Sequence, residues 1–517
     1  MSAFHIFREL NARLVFVAAI SSIGSMGFGF DNNWWGGALG LSEFKETFGK
    51  LNPITGNYYL PSSYTSAGTG LGSAGIIIGC LIAPYCARVF GRKRSFLAVA
   101  SLLSVGTIIQ ATTVRSFWQL TVGKVVTCAG IGLASNIVPL YLAECSPASI
   151  RGTIGNCYSF FNAGGAFISA VTIFLSDKYL TSSKWSYLTV VVCQIFVPVA
   201  IAASYPFLPE SPRYLVFRGR LEEAKAVIRD LYGNNYDADS EVYFLQMQLE
   251  EQRAHHKATS FVDCFRGSNL HRTSTAMGVQ ILQQAQGVSF VNNYVVVFMQ
   301  QLGFKNALSS NVIVIGCGWA ANVFCFYMFT RIGRRPILFA GALAMAIMMF
   351  VIGGLASKGA EHLTSSAKNA AVAMLILWQV SMHASWSPGI WIITGEIGTA
   401  QLRERTVLLA SLGSFVTSVP INFVNPFVQA AIGGSVTFIY GGFSVLACVF
   451  VYYVVPETRN RSLEALDEIF QAGVSARKFS TYECRGLVAE SAKLENGNVD
   501  FDEKHDEDLV ENWDSKV

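Results

Sequence analysis

Two apolar blocks separated by a short basic loop decide the fold of this chain. Residues 64 to 114 read YTSAGTGLGSAGIIIGCLIAPYCARVFGRKRSFLAVASLLSVGTIIQATTV, and Gly91-Arg92-Lys93-Arg94 divides the two blocks. A block of at least about 18 apolar residues crosses roughly 30 Å of hydrocarbon as a helix. The stretch therefore predicts two membrane-spanning helices joined by a positively charged turn.

Blocks of this kind recur along the whole chain. Hydrophobic residues make up 52% of the 517 and charged residues only 14%, against about 25% in soluble globular proteins. The pattern predicts an all-α integral membrane protein with twelve transmembrane helices in two six-helix bundles. The spans are expected near residues 13 to 37, 64 to 86, 95 to 114, 118 to 143, 152 to 175, 185 to 207, 273 to 300, 309 to 330, 336 to 356, 370 to 396, 405 to 431 and 434 to 455.

Polar segments flank and divide the two bundles. No small-residue cleavage site follows the first apolar block, so we expect a retained span rather than a signal peptide. The last segment becomes acidic, with DEKHDED at 502 to 508, which is typical of a disordered tail. The predicted organisation is an N-terminal tail, a first bundle, a helical linker, a second bundle and an acidic tail, at residues 1 to 12, 13 to 208, 209 to 272, 273 to 456 and 457 to 517.

Positive charge in the short loops predicts the orientation. Lys and Arg side chains resist translocation, and they cluster in the loops after spans 2 and 8. We therefore expect these loops, both termini and the linker to be cytoplasmic, with the plasma membrane as the expected location.

The overall composition argues against several other classes of protein. The net charge of +4 is small for this length, so no nucleic-acid partner is predicted. Most of the eleven cysteines lie inside apolar blocks, where cysteine is usually a small packing residue, so we predict neither a metal site nor a cofactor. No Walker signature follows a strand, which argues against ATP-driven transport. A monomer is sufficient for what is predicted.

Three motifs occur twice at nearly the same offset. The glycine and arginine of the first loop recur 242 residues later, a Glu with Arg seven residues on recurs 252 later, and a Pro-Glu pair recurs 247 later. A duplicated six-helix unit with parallel repeats is a transporter architecture, with substrate bound between the halves. We predict gating roles at the cytoplasmic helix ends for Arg92, Glu144, Arg151, Glu210, Arg334, Glu396, Arg403 and Glu457.

The motifs carry a resemblance to a known family. The chain resembles the sugar porters of the major facilitator superfamily, and most of all their fungal members, over about 450 residues. The resemblance implies the major facilitator fold and transport of a hexose or disaccharide by alternating access. It rests on Gly91-Arg92-Lys93-Arg94, Val138-Pro139-Leu140-Tyr141-Leu142-Ala143-Glu144 with Arg151-Gly152, Pro-Glu-Ser-Pro-Arg-Tyr-Leu from 209, Gln283-Gln284 with Gly287, and Pro-Glu-Thr-Arg from 456.

Two opposite charges lie at equal predicted depth inside the first bundle. Asp31 is about six residues before the outer end of span 1, and Lys124 about six after the outer start of span 4, which puts both about 9 Å deep. An ionisable residue inside a membrane is a functional candidate by default. We predict that the pair is lost when Asp31 takes a proton. The resemblance also implies that Asp31 is the proton site, and the alternative is a structural ion pair.

The predicted sugar site lies mainly on spans 7 and 10. The paired amides of Gln283 and Gln284 suit vicinal hydroxyls, Trp391 offers a flat face to a sugar ring, and His383 lies two turns before it. Compared with the pattern of the family that it resembles, the chain has shorter or different side chains at three predicted site positions, Ser159, Ser289 and Asn293. In addition, Gly318 stands where that pattern has an asparagine, and Asn322 follows one turn later.

Several functions remain open at this point. Proton symport, facilitated sugar transport and sugar sensing without transport all fit the same fold, and the energy source must be a gradient. No metal-ligand cluster or nucleophile elbow is found in the sequence, so no enzymatic activity is predicted.

Overall fold

A computed structural model describes residues 11 to 482 except 54–55, 114, 148–150, 182, 234–235, 257–259, 305, 358–363, 400–401, 460 and 462. Almost all of the predicted N-terminal tail and the acidic run at 502 to 508 lie outside the described residues. Within the described part, nine helical stretches are long and apolar enough to cross a membrane, judged by length and composition.

The difference between nine stretches and twelve predicted spans has a local cause. π-helical turns at Gln284–Val288 and Met382–Trp386 divide the predicted spans 7 and 10, so neither contains one sufficiently long helix. The predicted spans 11 and 12 follow each other so closely that they form a single apolar helical stretch, Arg405–Tyr453. The number twelve therefore stays a prediction, while the helical character of each predicted region is observed.

The first half contains spans 1 to 6. An outer loop between spans 1 and 2 carries the helix Ser42–Phe48 and a hairpin in which β1, Lys50–Leu51, pairs antiparallel with β2, Tyr58–Tyr59. Span 6 is divided into two short helices. The helices of this half are Ala12–Ala38, Ser62–Val89, Arg92–Ala111, Phe117–Cys145, Arg151–Tyr179, and Trp185–Cys193 followed by Phe196–Ser204.

The segment between the halves forms short helices, as expected for the linker. Pro212–Phe217, Leu221–Tyr232 and Ala238–His256 pack around a small apolar core of their own, and the 3-10 turn Phe261–Phe265 leads into span 7. An ion pair of 3.0 Å between Arg13 and Asp230 joins this core to the start of span 1.

The second half repeats the order of the first. Span 7 comprises Gly267–Gln283 and Ser289–Gln301, and span 10 comprises Ser365–Ser381 and Ser387–Ile397, each pair joined through its π-helical turn. After span 12 the chain forms Leu463–Gln471 and the 3-10 turn Ala476–Thr481. Spans 8, 9, 11 and 12 are Ala307–Arg331, Arg334–Ala356, Arg403–Ile432 and Val436–Tyr453.

Helices pack closely within each half and more selectively between them. Within the halves, span 1 packs on span 5, span 2 on span 4, and span 9 on span 12; between them, span 2 meets span 11, span 5 meets span 8 and span 1 meets span 7. Small residues permit this packing, because a Cβ on Gly79 would lie 2.0 Å from the Ala129 carbonyl oxygen. Glycines of the early spans such as Gly79 therefore allow neighbouring helices to approach closely.

Candidate functional site

A central cavity of about 150 Å³ lies between the two halves. Spans 1, 2, 4 and 5 form one wall, and spans 7, 10 and 11 form the other. Both predicted coupling residues and seven of the eight predicted substrate residues line it: Asp31, Lys124, Ser159, Gln283, Gln284, Ser289, Asn293, His383 and Trp391. Asn322 lies one layer behind the wall.

The predicted pairing of Asp31 with Lys124 is present. The Lys124 ammonium donates to Asp31 Oδ2 at 3.0 Å, and both residues are about 4% exposed or less. Asp31 lies seven residues before the end of its helix and Lys124 seven after the start of its own, so the equal depth is also observed. The role of the pair in proton coupling stays a prediction.

Aromatic and thiol groups complete this charge cluster. Trp34 Nε1 donates to Asp31 Oδ1 at 3.0 Å, and Cys128 Sγ donates to Oδ2 at 3.3 Å. The Lys124 ammonium lies 5.1 and 5.2 Å from the ring centroids of Trp34 and Trp35, which is cation–π distance. Each charge is therefore stabilised by neighbours as well as by its partner, which a charge pair needs when it is buried.

The break in span 7 arranges the predicted amides. Gly287 has φ +105°, a left-handed conformation that favours glycine, and it lies in the π-helical turn beside Gln284. Gln284 Nε2 donates to Ser414 Oγ at 3.1 Å, and Ser289 Oγ donates to Gln284 Oε1 at 3.3 Å. Asn293 donates to the Ser289 carbonyl at 3.1 Å. The amide of Gln284 is thus held at both ends by hydroxyl groups at the cavity wall.

The break in span 10, the π-helical turn Met382–Trp386, lies five residues before Trp391. Pro388 stands in the first turn of the helix that follows the π-helical turn, where the missing N–H of proline is not needed. Trp391 approaches Tyr158 of the first half edge-on, at 6.5 Å between ring centroids. Trp386, by contrast, is fully buried and donates to the Leu338 carbonyl at 2.9 Å. Of these two tryptophans, only Trp391 lines the cavity.

His383 connects the cavity wall to span 8. Its Nδ1 lies 3.1 Å from Asn322 Nδ2, and its Nε2 lies 3.1 Å from Gln379 Nε2. Asn322 is fully buried on the side of span 8 that faces span 10, which explains why it contacts the imidazole rather than the cavity.

The cavity also contains polar groups that sequence reasoning missed. They share one signal, since most lie one helical turn from, or directly beside, a residue that was predicted. Gln280 precedes Gln283 by about a turn, and Gln379 precedes His383 by four residues. The additional amide side chains that line the cavity are Asn32, Asn162, Gln280, Asn292, Gln379 and Asn422.

At the end of the first half that carries the basic loop, three of the predicted gating residues, Arg92, Glu144 and Glu210, form one network. Arg92 donates to Glu144 Oε1 at 2.6 Å, and Ser211 Oγ donates to the other oxygen of Glu144 at 2.6 Å. Glu210 Oε1 accepts from the backbone N–H groups of Arg92 and Lys93 at 2.9 and 3.0 Å. Glu210 therefore caps the positive N-terminal end of span 3.

The second half repeats this network. Arg334 donates to Glu396 Oε1 at 2.8 Å, Thr458 donates to the other oxygen of Glu396, and Glu457 accepts from the backbone N–H groups of Arg334 and Arg335 at 3.0 and 3.1 Å. Arg403 begins the helix of span 11 and is half-buried. Arg151 begins the helix of span 5, and its side chain is outside what the structure describes.

Hydrogen bonds also join the two halves on the side of the cavity away from the basic loops. They link spans 1 and 2, with the loop between them, to spans 7, 8 and 11. The pairs are Asn33 with Asn311, Lys45 and the Gly40 carbonyl with Gln300, Ser66 with the Phe423 carbonyl, Thr69 with Tyr294, and Ser73 with Asn422. These contacts hold the two halves together on that side of the cavity.

Comparisons with known proteins agree with this architecture. The family model described as "Sugar (and other) transporter" matches residues 17–470. The chain is 28% identical over 473 residues to a high-affinity glucose transporter of Schizosaccharomyces pombe, covering 90% of this chain and 88% of that one. It is also 27% identical over 478 residues to a high glucose sensor of Saccharomyces cerevisiae, covering 89% of this chain and 61% of the sensor.

Solved structures show the same fold. The xylose transporter of E. coli, in a partially occluded inward-open conformation, superimposes with a TM-score of 0.72 at 22% identity, covering 87% of this chain and 99% of that one. The predicted all-α major facilitator fold is thereby confirmed.

Proposed function

The chain belongs to the Sugar (and other) transporter family, and from this premise we propose that it moves a sugar across a membrane by alternating access, coupled to a proton at Asp31. It is an integral membrane protein with several spans, and its relatives are transporters or sensors rather than enzymes. The observation that carries the proposal is that a buried Asp31–Lys124 pair and a cluster of neutral amides line the same cavity.

The chemistry of the second wall supports a neutral polyhydroxylated substrate. Amide groups both donate and accept hydrogen bonds, so Gln283 and Gln284 can each contact two hydroxyls of a sugar. Trp391 supplies an apolar surface for the C–H face of the ring. The relatives include glucose and fructose transporters, which supports a hexose, while the short side chains of Ser159 and Ser289 leave room for a larger sugar.

Proton binding provides the proposed link to conformation. A proton on Asp31 would neutralise the partner of Lys124 and leave a buried ammonium without a counter-ion, which is costly inside a membrane. The protonated state therefore favours rearrangement of spans 1 and 4. In the state described here the pair is intact.

Span 2 connects this charge cluster to the outer contacts. A Cβ on Gly72 would lie 3.1 Å from Lys124 Cε and 3.3 Å from Cys128 Sγ, so span 2 lies directly on the cluster. The next residue, Ser73, accepts a hydrogen bond from Asn422 of the opposite half at 2.9 Å. Movement of Lys124 would therefore disturb span 2 at the place where the halves are joined.

The proposal is tested by transport in reconstituted vesicles. Purified protein in proteoliposomes should accumulate radiolabelled D-glucose, or another sugar from a panel of hexoses, pentoses and disaccharides, when an inward proton gradient is applied. The lumen of the vesicles should become more acidic as the sugar enters. Equilibration without accumulation would indicate a facilitator instead. Saturable binding without uptake would indicate a sensor, a second candidate that the yeast sensor relative supports. Absence of both binding and uptake for the whole panel would overturn the proposal.

We further propose that the repeated Arg–Glu networks act as the inner gate, through Arg92, Glu144, Arg151 and Glu210 in the first half and their counterparts in the second. The Arg92–Glu144 and Arg334–Glu396 pairs each lie within one half, so they brace each bundle at its proposed cytoplasmic end. Positive loops after spans 2 and 8 support a cytoplasmic position for this end, for both termini and for the linker, and the plasma membrane is the proposed location. The chain is proposed to act as a monomer of two bundles, 13 to 208 and 273 to 456.

A further inference from the structure

Three side chains of the second half form a continuous polar chain from the cavity into the protein. Gln379 and His383 of span 10 line the cavity, and Asn322 of span 8 lies behind them, fully buried. The imidazole stands between the two amides, with each ring nitrogen 3.1 Å from an amide nitrogen. His383 therefore joins a cavity-facing amide to a buried one.

Gly318 makes room for this arrangement. A Cβ at Gly318 would lie 2.6 Å from Gln379 Cγ and 2.9 Å from His383 Cδ2, so any larger residue would displace both side chains. The missing side chain at Gly318 thus leaves space on span 8, and an amide and an imidazole from span 10 occupy that space.

The hydrogen-bond capacity of the imidazole couples the two amides. A neutral imidazole has one donor and one acceptor, so it cannot accept from two amide N–H groups at once. One amide must turn its oxygen to the ring, and which end of each amide faces the ring is set by the hydrogen-bond network. The oxygen of Asn322 is buried without a partner while its nitrogen faces His383. If the Asn322 amide turns, its oxygen gains the Nδ1–H as a donor, and Gln379 Nε2 then donates to His383 Nε2.

The orientation of Asn322 thus decides whether Gln379 presents a hydrogen-bond acceptor or a donor to the cavity. With the oxygen of Asn322 toward His383, Gln379 presents its own oxygen to the cavity as an acceptor. With the nitrogen of Asn322 toward the ring, Gln379 turns its oxygen to the ring and presents its N–H₂ to the cavity as a donor.

We propose that Gln379 and His383 form a subsite for one hydroxyl group of the transported sugar, and that Asn322 is a positioning residue that sets the hydrogen-bonding polarity of this subsite. The inference rests on the proposed function. A hydroxyl can both donate and accept, so either arrangement binds it, whereas a deoxy sugar would leave the Gln379 amide unpaired. The subsite therefore selects for the presence of a hydroxyl at one ring position.

The test compares binding of D-glucose with binding of its singly deoxygenated analogues. Purified full-length protein is titrated with each sugar, using tryptophan fluorescence, and uptake is measured in parallel. For the wild type, we expect one deoxy analogue to bind about tenfold more weakly than glucose, the effect of about one neutral hydrogen bond. Gln379→Met, which keeps the volume and removes the amide, should reduce that ratio to near one and leave the ratios for the other analogues unchanged.

Two further variants separate positioning from packing. Asn322→Leu does not touch the cavity but removes the partner of His383 Nδ1, so the imidazole and the Gln379 amide lose their fixed orientation. The same single ratio should therefore change, while thermal stability and surface abundance remain sufficient for transport. Gly318→Ala should weaken glucose binding because of the short contacts, and Gly354→Ala, where a Cβ would have nothing within 4 Å, is the matched control.

Unchanged binding ratios in both Gln379→Met and Asn322→Leu, in a protein that binds glucose, would overturn the proposed subsite. The contacts among Gln379, His383 and Asn322 would then serve only to pack spans 8 and 10 together. Such a result would leave the proposed sugar transport intact. If the wild type neither binds nor transports any sugar of the panel, both proposals fail together.

Discussion

The two halves of the molecule agree at the ends that carry the basic loops and differ at the cavity. Below the cavity, each half has an Arg–Glu pair, a hydroxyl donor to the same Glu, and a second Glu that caps a helix N-terminus. At the cavity, the first half contributes a charge pair on unbroken helices, spans 1 and 4. The second half contributes neutral amides, an imidazole and Trp391 on two helices broken by π-helical turns.

This difference has a physical reason. A buried ion pair needs a fixed geometry to offset its desolvation, and continuous helices provide it. A site for several hydroxyls needs side chains at varied heights and backbone that can rearrange, and a break in the helix provides both. The comparison indicates one Arg–Glu network used twice and two different kinds of wall at the cavity, which under the proposed function serve the proton and the sugar.

The largest expected effect comes from removing the charge of the first half. Asp31→Asn imitates the protonated carboxyl permanently, so the pair with Lys124 cannot form again after proton release. We expect concentrative uptake to disappear, whereas exchange of sugar down its gradient persists because the second wall is unchanged. Uptake with and without a protonophore measures this, and Asp177→Asn at the outer end of span 5 is the matched control. Accumulation that survives both Asp31→Asn and the protonophore would leave Asp31 as a purely structural partner of Lys124.

A second prediction compares the two gate networks directly. Glu144 is more buried than Glu396, with side chains 4% and 27% exposed. Removing one partner of a buried pair costs about 3 to 5 kcal/mol, and an exposed pair is worth about 1 kcal/mol or less. Glu144→Gln should therefore lower the melting temperature more than Glu396→Gln does. Equal decreases in the melting temperature of the two variants would mean that the burial of the glutamate does not set how much each network contributes to stability.

The sequence predicted the shared features of the halves better than their differences. Unbroken spans follow from hydropathy, and the Asp31–Lys124 pair followed from equal depth, because helix rise is constant. The π-helical turns were not predicted, since they depend on how side chains such as Gln284 and His383 pack against neighbouring spans. Gln379 was missed for the same reason, and its place becomes clear only when Gly318 and Asn322 are seen beside it.

A third prediction tests the equality of the halves rather than their difference. Gly91 and Gly333 precede spans 3 and 9 with φ +85° and +107°, and a Cβ would lie 2.6 and 2.7 Å from Glu210 and Glu457 Oε2. A non-glycine residue in this conformation costs about 1 to 3 kcal/mol. Gly91→Ala and Gly333→Ala should destabilise the protein by similar amounts in a thermal melt.

The control for these glycines is Gly219→Ala, which has φ +77° and nothing within 4 Å of its Cβ, so it measures the backbone strain alone. A large effect at one of the two caps and none at the other would contradict the matched networks.

The smallest expected effect concerns two buried thiols, one in each half. Cys128 donates to Asp31 Oδ2 at 3.3 Å in the first half, whereas Cys325 donates to the His383 carbonyl at 2.8 Å in the second. A thiol is a weak donor, so its removal should change the ion pair only slightly. Cys128→Ala takes a donor from the ionised form of Asp31 and thereby favours the protonated form, so the falling limb of uptake against external pH should move to higher pH. Cys325→Ala should leave this pH profile unchanged, because its acceptor is a backbone carbonyl that carries no titratable charge. A shift of equal size in both variants would show that the thiols act through packing. The assignment of the proton to the first half of the cavity and of the sugar to the second half would then lose this support.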